Sequence, residues 1–162
     1  MADRPRRFYV ASSWRNDQQP EIVDMLRHAG HDVYDFRNPE PGNTGFHWSE
    51  IDPDWRLWTP ISFLDALDKP VAREGFTLDF DAMRWCDACL LLLPSGRSAH
   101  LEAGWSLGAG KAVAVLCHYC LDPDEFEPEL MYLMIPNRLL TTADVVEWAR
   151  HVPILPTPEV SP

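Results

Sequence analysis

Apolar residues along this chain keep two rhythms, one of strands and one of helices, and the two alternate. The run Arg7-Phe8-Tyr9-Val10-Ala11 has the length and composition of a strand, and behind it Ile22, Val23, Leu26 and Ala29 recur at helical spacing. Pro20 suits the start of that helix and Gly30 its end. His31 to Phe36 predicts a second strand. Residues 37–60 are rich in Pro, Gly, Asn and Trp without a clear period, which predicts a long loop of the kind that often acts as a lid. A helical patch near Ile61 to Leu67 and a helix over about Val71 to Trp85 follow. The unbroken apolar runs Cys89 to Leu93 and Ala112 to Cys117 suit strands of a sheet covered on both faces. Between them, a helix capped by Ser98 is predicted to run to Gly108-Ala109-Gly110. Residues 121–134 are predicted to be helical in part, Arg138 to Thr141 a last strand, and Thr142 to Arg150 a closing helix.

Five strands joined by helices predict an α/β fold, a doubly wound, five-stranded parallel sheet of flavodoxin-like or Rossmann-like type. In that order the first and third strands are neighbours, and ligands bind beyond their carboxyl ends. The loops there are Ser12-Ser13-Trp14-Arg15-Asn16 and Pro94 to Ser98. Residues 1–152 are expected to form a single domain, and residues 153–162, with four prolines, a flexible tail.

A chain of 162 residues that is 46% hydrophobic is long enough for one compact core. Its net charge of −11 repels a phosphate backbone, so extended nucleic-acid binding is not expected, although one small phosphate could still sit on an arginine or two. No signal peptide is expected from Arg4, Arg6 and Arg7 and the short run behind them, and no apolar run approaches the roughly 20 residues of a membrane span. A cytoplasmic protein with reduced cysteines is the expectation. The pairs Cys86/Cys89 and Cys117/Cys120 have zinc-site spacing, but they would fall at opposite ends of neighbouring strands, roughly 15 Å apart. Buried structural thiols are expected instead. Gly104 to Lys111 has the wrong glycine spacing for a phosphate loop and lacks the following Ser or Thr. Neither a metal nor a cofactor is expected.

The chemistry-bearing stretch is Ser95-Gly96-Arg97-Ser98-Ala99-His100-Leu101-Glu102. Glu102 is expected in the first turn of the Ser98-capped helix, where the helix dipole favours a carboxylate. Such a carboxylate could simply stabilise the helix, or it could attack an anomeric carbon. Its neighbours favour chemistry: Gly96 permits close approach of a ligand, Ser95 and Ser98 offer hydroxyls, and Arg97 can take a phosphate or carboxylate bidentately. Upstream, Asp79 and Asp81 lie two positions apart on a helix and cannot both face one site. Phe46, Trp48, Trp55 and Trp58 could stack on a nucleobase or could cover a sheet face or a subunit contact. His47, His100 and His118 suggest no role.

Several of these segments resemble nucleoside 2-deoxyribosyltransferases and the related nucleotide N-glycosidases. They are Phe8-Tyr9-Val10-Ala11-Ser12-Ser13-Trp14, Asp79, Asp87-Ala88 before an apolar strand, Ser98-Ala99-His100-Leu101-Glu102-Ala103-Gly104, and Gly110-Lys111. The resemblance implies Glu102 as nucleophile, Asp79 as the acid at the base, and Tyr9 oriented toward the nucleophile. Ser12, Trp14, Arg15, Ser95, Gly96, Arg97, Ser98 and Trp48 are the expected substrate-binding residues. A nucleoside or nucleotide is the implied substrate, and homo-oligomers are implied because family sites are often shared between subunits. By the retaining-glycosidase analogy the two carboxyls would lie about 5–5.5 Å apart. The transferases carry an acidic residue shortly before the nucleophile, where this chain has Ser95-Gly96-Arg97; Tyr132 stands where a neighbouring subunit's asparagine is expected. The serine and arginine suit a 5′-phosphate and so favour the nucleotide-hydrolase branch. A TIR-like NAD hydrolase, a non-catalytic nucleotide-binding sensor and a redox or zinc module are the alternatives.

Overall fold

The structure, a computed structural model, describes residues 4–118 and 128–156. The chain divides into two compact units, one formed by Met1–Tyr34 with Trp85–Pro162 and a smaller one formed by Asp35–Arg84.

The larger unit holds a five-stranded, all-parallel sheet. Its strands are β1 (Arg7–Ala11), β2 (Asp32–Tyr34), β3 (Ala88–Leu92), β4 (Ala112–Leu116) and β5 (Asn137–Leu139), in the spatial order β2-β1-β3-β4-β5. This is the flavodoxin-like order predicted from the pattern, with β1 and β3 adjacent at the reversal. Phe8, Val10, Leu90, Leu92, Ala114 and Leu116 point to one face. They pack there with Ile22, Val23 and Leu26 of α1 (Gln19–His28) and with Val145 and Ala149 of α5 (Thr142–His151). Strand alternation sends Tyr9, Cys89, Leu91, Val113 and Val115 to the other face. Helix α4 (Arg97–Gly108) covers that face, burying Ala99, Ala103 and Ser106. These side chains are small, so the helix approaches the sheet closely.

Local chemistry explains the boundaries. Gly30 and Gly110 follow the last turns of α1 and α4 with φ of +89° and +76°, a conformation in which a β-carbon is strained. Thr141 leaves the last strand early because its hydroxyl accepts the Asp144 N–H at 3.1 Å and caps α5. Strand β2 is likewise shorter than the predicted His31–Phe36. Helix α4 starts earlier than Ser98 predicts: Gly96 is the cap, in extended backbone, and Ser98 is the second helical residue. Glu102 therefore lies in the second turn, beyond most of the dipole effect expected for it.

At the amino ends of the strands, Asp87 is fully buried. One carboxylate oxygen accepts the Arg7 backbone N–H (2.8 Å) and Nε (3.1 Å), and the other accepts Arg7 Nη2 (2.5 Å) and the Leu155 backbone N–H (2.9 Å). Burial alone would push this carboxyl up, but the bonds from Arg7 and Leu155 outweigh it and hold Asp87 below the usual carboxylate value. The same pairing raises Arg7. Leu155 falls within the stretch expected to be a flexible tail, and it is tied here to β1 and to Asp87. Tail residues 157–162, and residues 121–127 of the expected 121–134 helix, lie outside the described residues; 130–134 form a single 3-10 turn.

Within the smaller unit lie two 3-10 turns (Trp48–Glu50 and Trp55–Leu57), α2 (Pro60–Leu67) and most of α3 (Pro70–Trp85). Cys89 stands opposite Val113 at the start of the β3–β4 ladder, and Cys117 follows the far end of β4. The two cysteine pairs thus begin at opposite ends of the strands, as the spacing argument expects. No helix among the described residues is long and apolar enough to cross a membrane.

Replacing Asp87 by Asn strands a buried guanidinium, and we expect a loss of about 3 kcal/mol of unfolding free energy at neutral pH. Because Asp87 is held low in the folded state, its contribution is present above the unfolded carboxylate value, about 3.9, and is lost as pH falls through the lower folded value. Urea titrations of both proteins across the acid range should show the gap closing in acid, and a gap independent of pH would contradict the assignment.

Candidate functional site

The site in the larger unit starts where β1 and β3 end side by side. Tyr9 to Ala11 pair with Cys89 to Leu91, so the loops that leave the two strands emerge together. Two side chains stitch them. Ser12 Oγ donates to the Leu92 carbonyl at 3.1 Å, and Asn16 Nδ2 donates to the Pro94 carbonyl at 3.1 Å and to that of Leu92 at 3.5 Å. Asn16 is 3% exposed, and its own Oδ1 accepts the Gln18 N–H at 3.0 Å. Sequence reasoning placed Asn16 in the loop but assigned it nothing. The only hint was an asparagine just after a strand, a residue type that turns use for self-capping.

Around this stitch the structure gathers most of the expected residues. Ser95 is half-buried, and its hydroxyl is enclosed without a hydrogen-bond partner among the described residues. Gly96, Arg97 and Ser98 are exposed at the start of α4, with first-turn N–H groups that have no partner within the helix. Trp14 and Arg15 are exposed on the β1 loop. Glu102 is half-buried on the stripe that includes Ala99 and Ser106, so it sits at the margin of the helix face that covers the sheet. Beneath that helix lies Cys89, whose thiol is pushed well up by burial, with the charge of Glu102 adding to the effect. Tyr9, Cys89's partner across the β1–β3 ladder, shares this face; it is 1% exposed and stacks on Tyr34 at 5.5 Å.

His100, given no role by the sequence, is engaged twice. Its Nδ1 meets the Gly96 carbonyl at 2.9 Å and its Nε2 the Tyr132 hydroxyl at 2.8 Å. No sequence signal relates residues 32 positions apart.

Asp79 and Trp48 belong to the smaller unit. There, Phe36, Pro39, Asn43, Phe46 and Glu50 face Val71, Glu74, Leu78 and Asp79 of α3 across a cleft of about 210 Å³. Asp79 lines this cleft, whereas Asp81 lies toward the solvent and pairs with Arg84 at 3.8 Å. Gly75 makes the cleft's geometry feasible, because a β-carbon there would lie 2.8 Å from Cβ of Phe46. Trp48 meets Phe46 at 4.8 Å, Trp58 at 5.6 Å and Phe63 at 5.8 Å, each edge-on. The irregular loop is therefore held by an aromatic cluster of its own, reinforced by the Trp58 indole donating to Asp52 at 2.6 Å. Among the described residues, no group of three or more His, Cys, Asp or Glu is placed to hold a metal ion.

A 2-deoxyribosyltransferase from the psychrotolerant bacterium Bacillus psychrosaccharolyticus matches this chain with a TM-score of 0.56 at 20% identity, over 93% of this chain and 98% of its own. The chain shares the fold of a 2-deoxyribosyltransferase. The CMP N-glycosidase BcmB of Clostridium botulinum matches at 16% identity with a TM-score of 0.47, over 89% of this chain and 98% of its own. No protein-family model and no curated protein matches the sequence.

Gly75→Ala sets two effects against each other. Alanine gains about 1 kcal/mol of helix propensity, while the contact with Phe46 costs about 1–3 kcal/mol of overpacking. We expect net destabilisation in thermal melts; a stabilised variant would show that Phe46 does not hold α3 at this distance.

Proposed function

We propose that the protein cleaves or transfers at the N-glycosidic bond of a nucleoside or nucleoside 5′-monophosphate, through a covalent glycosyl ester on Glu102. The observation that carries this reading is the position of Glu102. It is half-buried in the second turn of α4, the helix that follows β3, packs on β1 and β3 and begins with Gly96, Arg97 and Ser98. A carboxylate needed only for helix stability would gain most from the first turn, and Glu102 is not there. The transferase fold of the B. psychrosaccharolyticus protein supports the same chemistry.

In the proposed mechanism a Glu102 carboxylate oxygen attacks the anomeric carbon as the bond to the base nitrogen breaks, and the departing base receives a proton or hydrogen bond from Asp79. Water, or a second base, then attacks the same carbon, releasing Glu102 and restoring the original anomeric configuration. Tyr9, on the sheet face that α4 covers, is the residue proposed to orient Glu102.

A 5′-phosphate finds complementary groups in Arg97, the hydroxyls of Ser95 and Ser98 and the N–H groups that open α4, which have no partner within the helix. Gly96 supports close approach of a ligand. Its backbone is ordinary, and nothing lies within 4 Å of where a β-carbon would stand, so neither strain nor packing requires glycine there. Ser12, Trp14 and Arg15 line the facing loop, and Trp48 is the aromatic candidate for the base. Self-association is supported by the exposure of Leu101 (75%), Leu130 (75%) and Leu133 (74%) on the larger unit.

The test is release of free base from a panel of nucleosides, nucleoside monophosphates and NAD, with and without a second base. We expect release from a nucleoside or its monophosphate, lowered by at least about a thousandfold in Glu102→Ala and by about a hundredfold in Asp79→Asn. Release from NAD alone would favour an NAD hydrolase. Binding without release from any compound would favour a sensor.

A further inference from the structure

His100 and Tyr132 form a link between two parts of the larger unit that the proposed mechanism does not use. The Gly96 carbonyl can only accept a hydrogen bond, so the nitrogen facing it at 2.9 Å, Nδ1, carries the hydrogen. In a neutral imidazole Nε2 is then an acceptor, and the Tyr132 hydroxyl 2.8 Å away donates to it. The two rings stack with centroids 5.8 Å apart and planes 12° from parallel. Tyr132 is itself set firmly: Arg138 donates to the carbonyls of Tyr132 (3.2 Å) and Ile135 (2.6 Å), closing the 3-10 turn Leu130–Met134. Burial, with Cys117 and Glu129, pushes the Tyr132 phenol up to about 12, so it remains a donor across neutral pH.

What the link holds is the cap of α4. Gly96 has no side chain of its own to fix it, and no side chain caps this helix. The N-cap carbonyl already accepts the first intrahelical bond, and His100, one turn ahead, adds a second donor to it, a contact that His28 and His151 also make to the carbonyls of Asp24 and Glu147; what sets His100 apart is that Tyr132 holds its other ring nitrogen. The contact thus bears on the Gly96–Arg97 peptide at the point where the helix begins.

We propose that His100 is a positioning residue that, held as its Nδ1–H tautomer by Tyr132, sets the Gly96 carbonyl and the first turn of α4 for the anionic group of the substrate. The inference rests on the nucleotide reading given above. It assigns His100 and Tyr132 to recognition of a phosphorylated ligand and not to bond cleavage.

Two measurements test it. Long-range nitrogen–proton spectra of the wild-type imidazole should show the Nδ1–H tautomer at His100, and Tyr132→Phe, which keeps the ring but loses the donor, should shift the balance toward Nε2–H. A dominant Nε2–H form in the wild type, or no response to Tyr132→Phe, overturns the link. In kinetics, His100→Ala should raise KM for a nucleoside 5′-monophosphate about tenfold, the equivalent of one lost hydrogen bond, while kcat changes less than about twofold. KM for the unphosphorylated nucleoside should move much less. His100→Asn, whose amide nitrogen can take the place of Nδ1, should recover most of the loss. A fall in kcat, or equal losses on both substrates, overturns the positioning role. If the wild type releases no base from any compound, the mechanism fails separately, and inorganic phosphate becomes the probe. Its affinity, read from the amide shifts of residues 96–98, should then fall about tenfold in His100→Ala, and an unchanged affinity overturns the inference.

Discussion

Asn16 donates to carbonyls at the end of β3, and it can do so only because β1 and β3 run parallel as neighbours and finish together. The reversal of strand order at this pair leaves their loops facing each other, with α4 turning back from one of them. Every candidate residue of the larger unit takes its place from that arrangement. Ser12 follows β1, Ser95 and Gly96 follow β3, and Glu102 is carried in on the helix between β3 and β4. Tyr9 is directed to the α4 face by alternation along β1, so a single register shift would remove it from the site.

The two ends of the sheet do different work. At the amino ends, Asp87 collects four hydrogen bonds from Arg7 and Leu155, a closed ionic cluster with all its oxygens satisfied. It clamps β1, the start of β3 and the segment after α5. At the carboxyl ends the polar groups are less fully engaged: the Ser95 hydroxyl is enclosed without a described partner, Arg97 is exposed, and the helix opens on a glycine. A buried polar group left open costs free energy, which folding alone does not recover, and such places are where ligands recover it. Stability concentrated at one end lets the other remain incompletely satisfied.

Much of this was legible in the sequence. The leucine run of β3 and the run Ala112 to Leu116 have the unbroken apolar character of strands covered on both faces, and the helix signals between them allowed little besides a doubly wound sheet. Choosing Asp79 over Asp81 came from a family resemblance, and the cleft lined by Asp79 is where helical spacing puts Val71, Gly75 and Leu78. What misled was local preference: Ser98 is a better N-cap than Gly96 on intrinsic grounds, yet the helix begins earlier, with Gly96 in extended backbone as its cap. Asn16, Gly75 and the His100–Tyr132 pair were not legible, because each owes its role to a partner brought near by folding. The irregular loop hid its order for a related reason. Its rings contact one another edge-on, in a pattern with no period along the chain.

The central claim is that Glu102 forms a bond to the sugar. Rapid acid quenching of the protein during turnover of its best substrate, followed by peptide mass spectrometry, tests it directly. The account predicts a mass increase of one glycosyl residue on the peptide containing Glu102, localised to that side chain and absent from Glu102→Ala. Base release proceeding without any adduct before the steady state, or an adduct on a different residue, would contradict it.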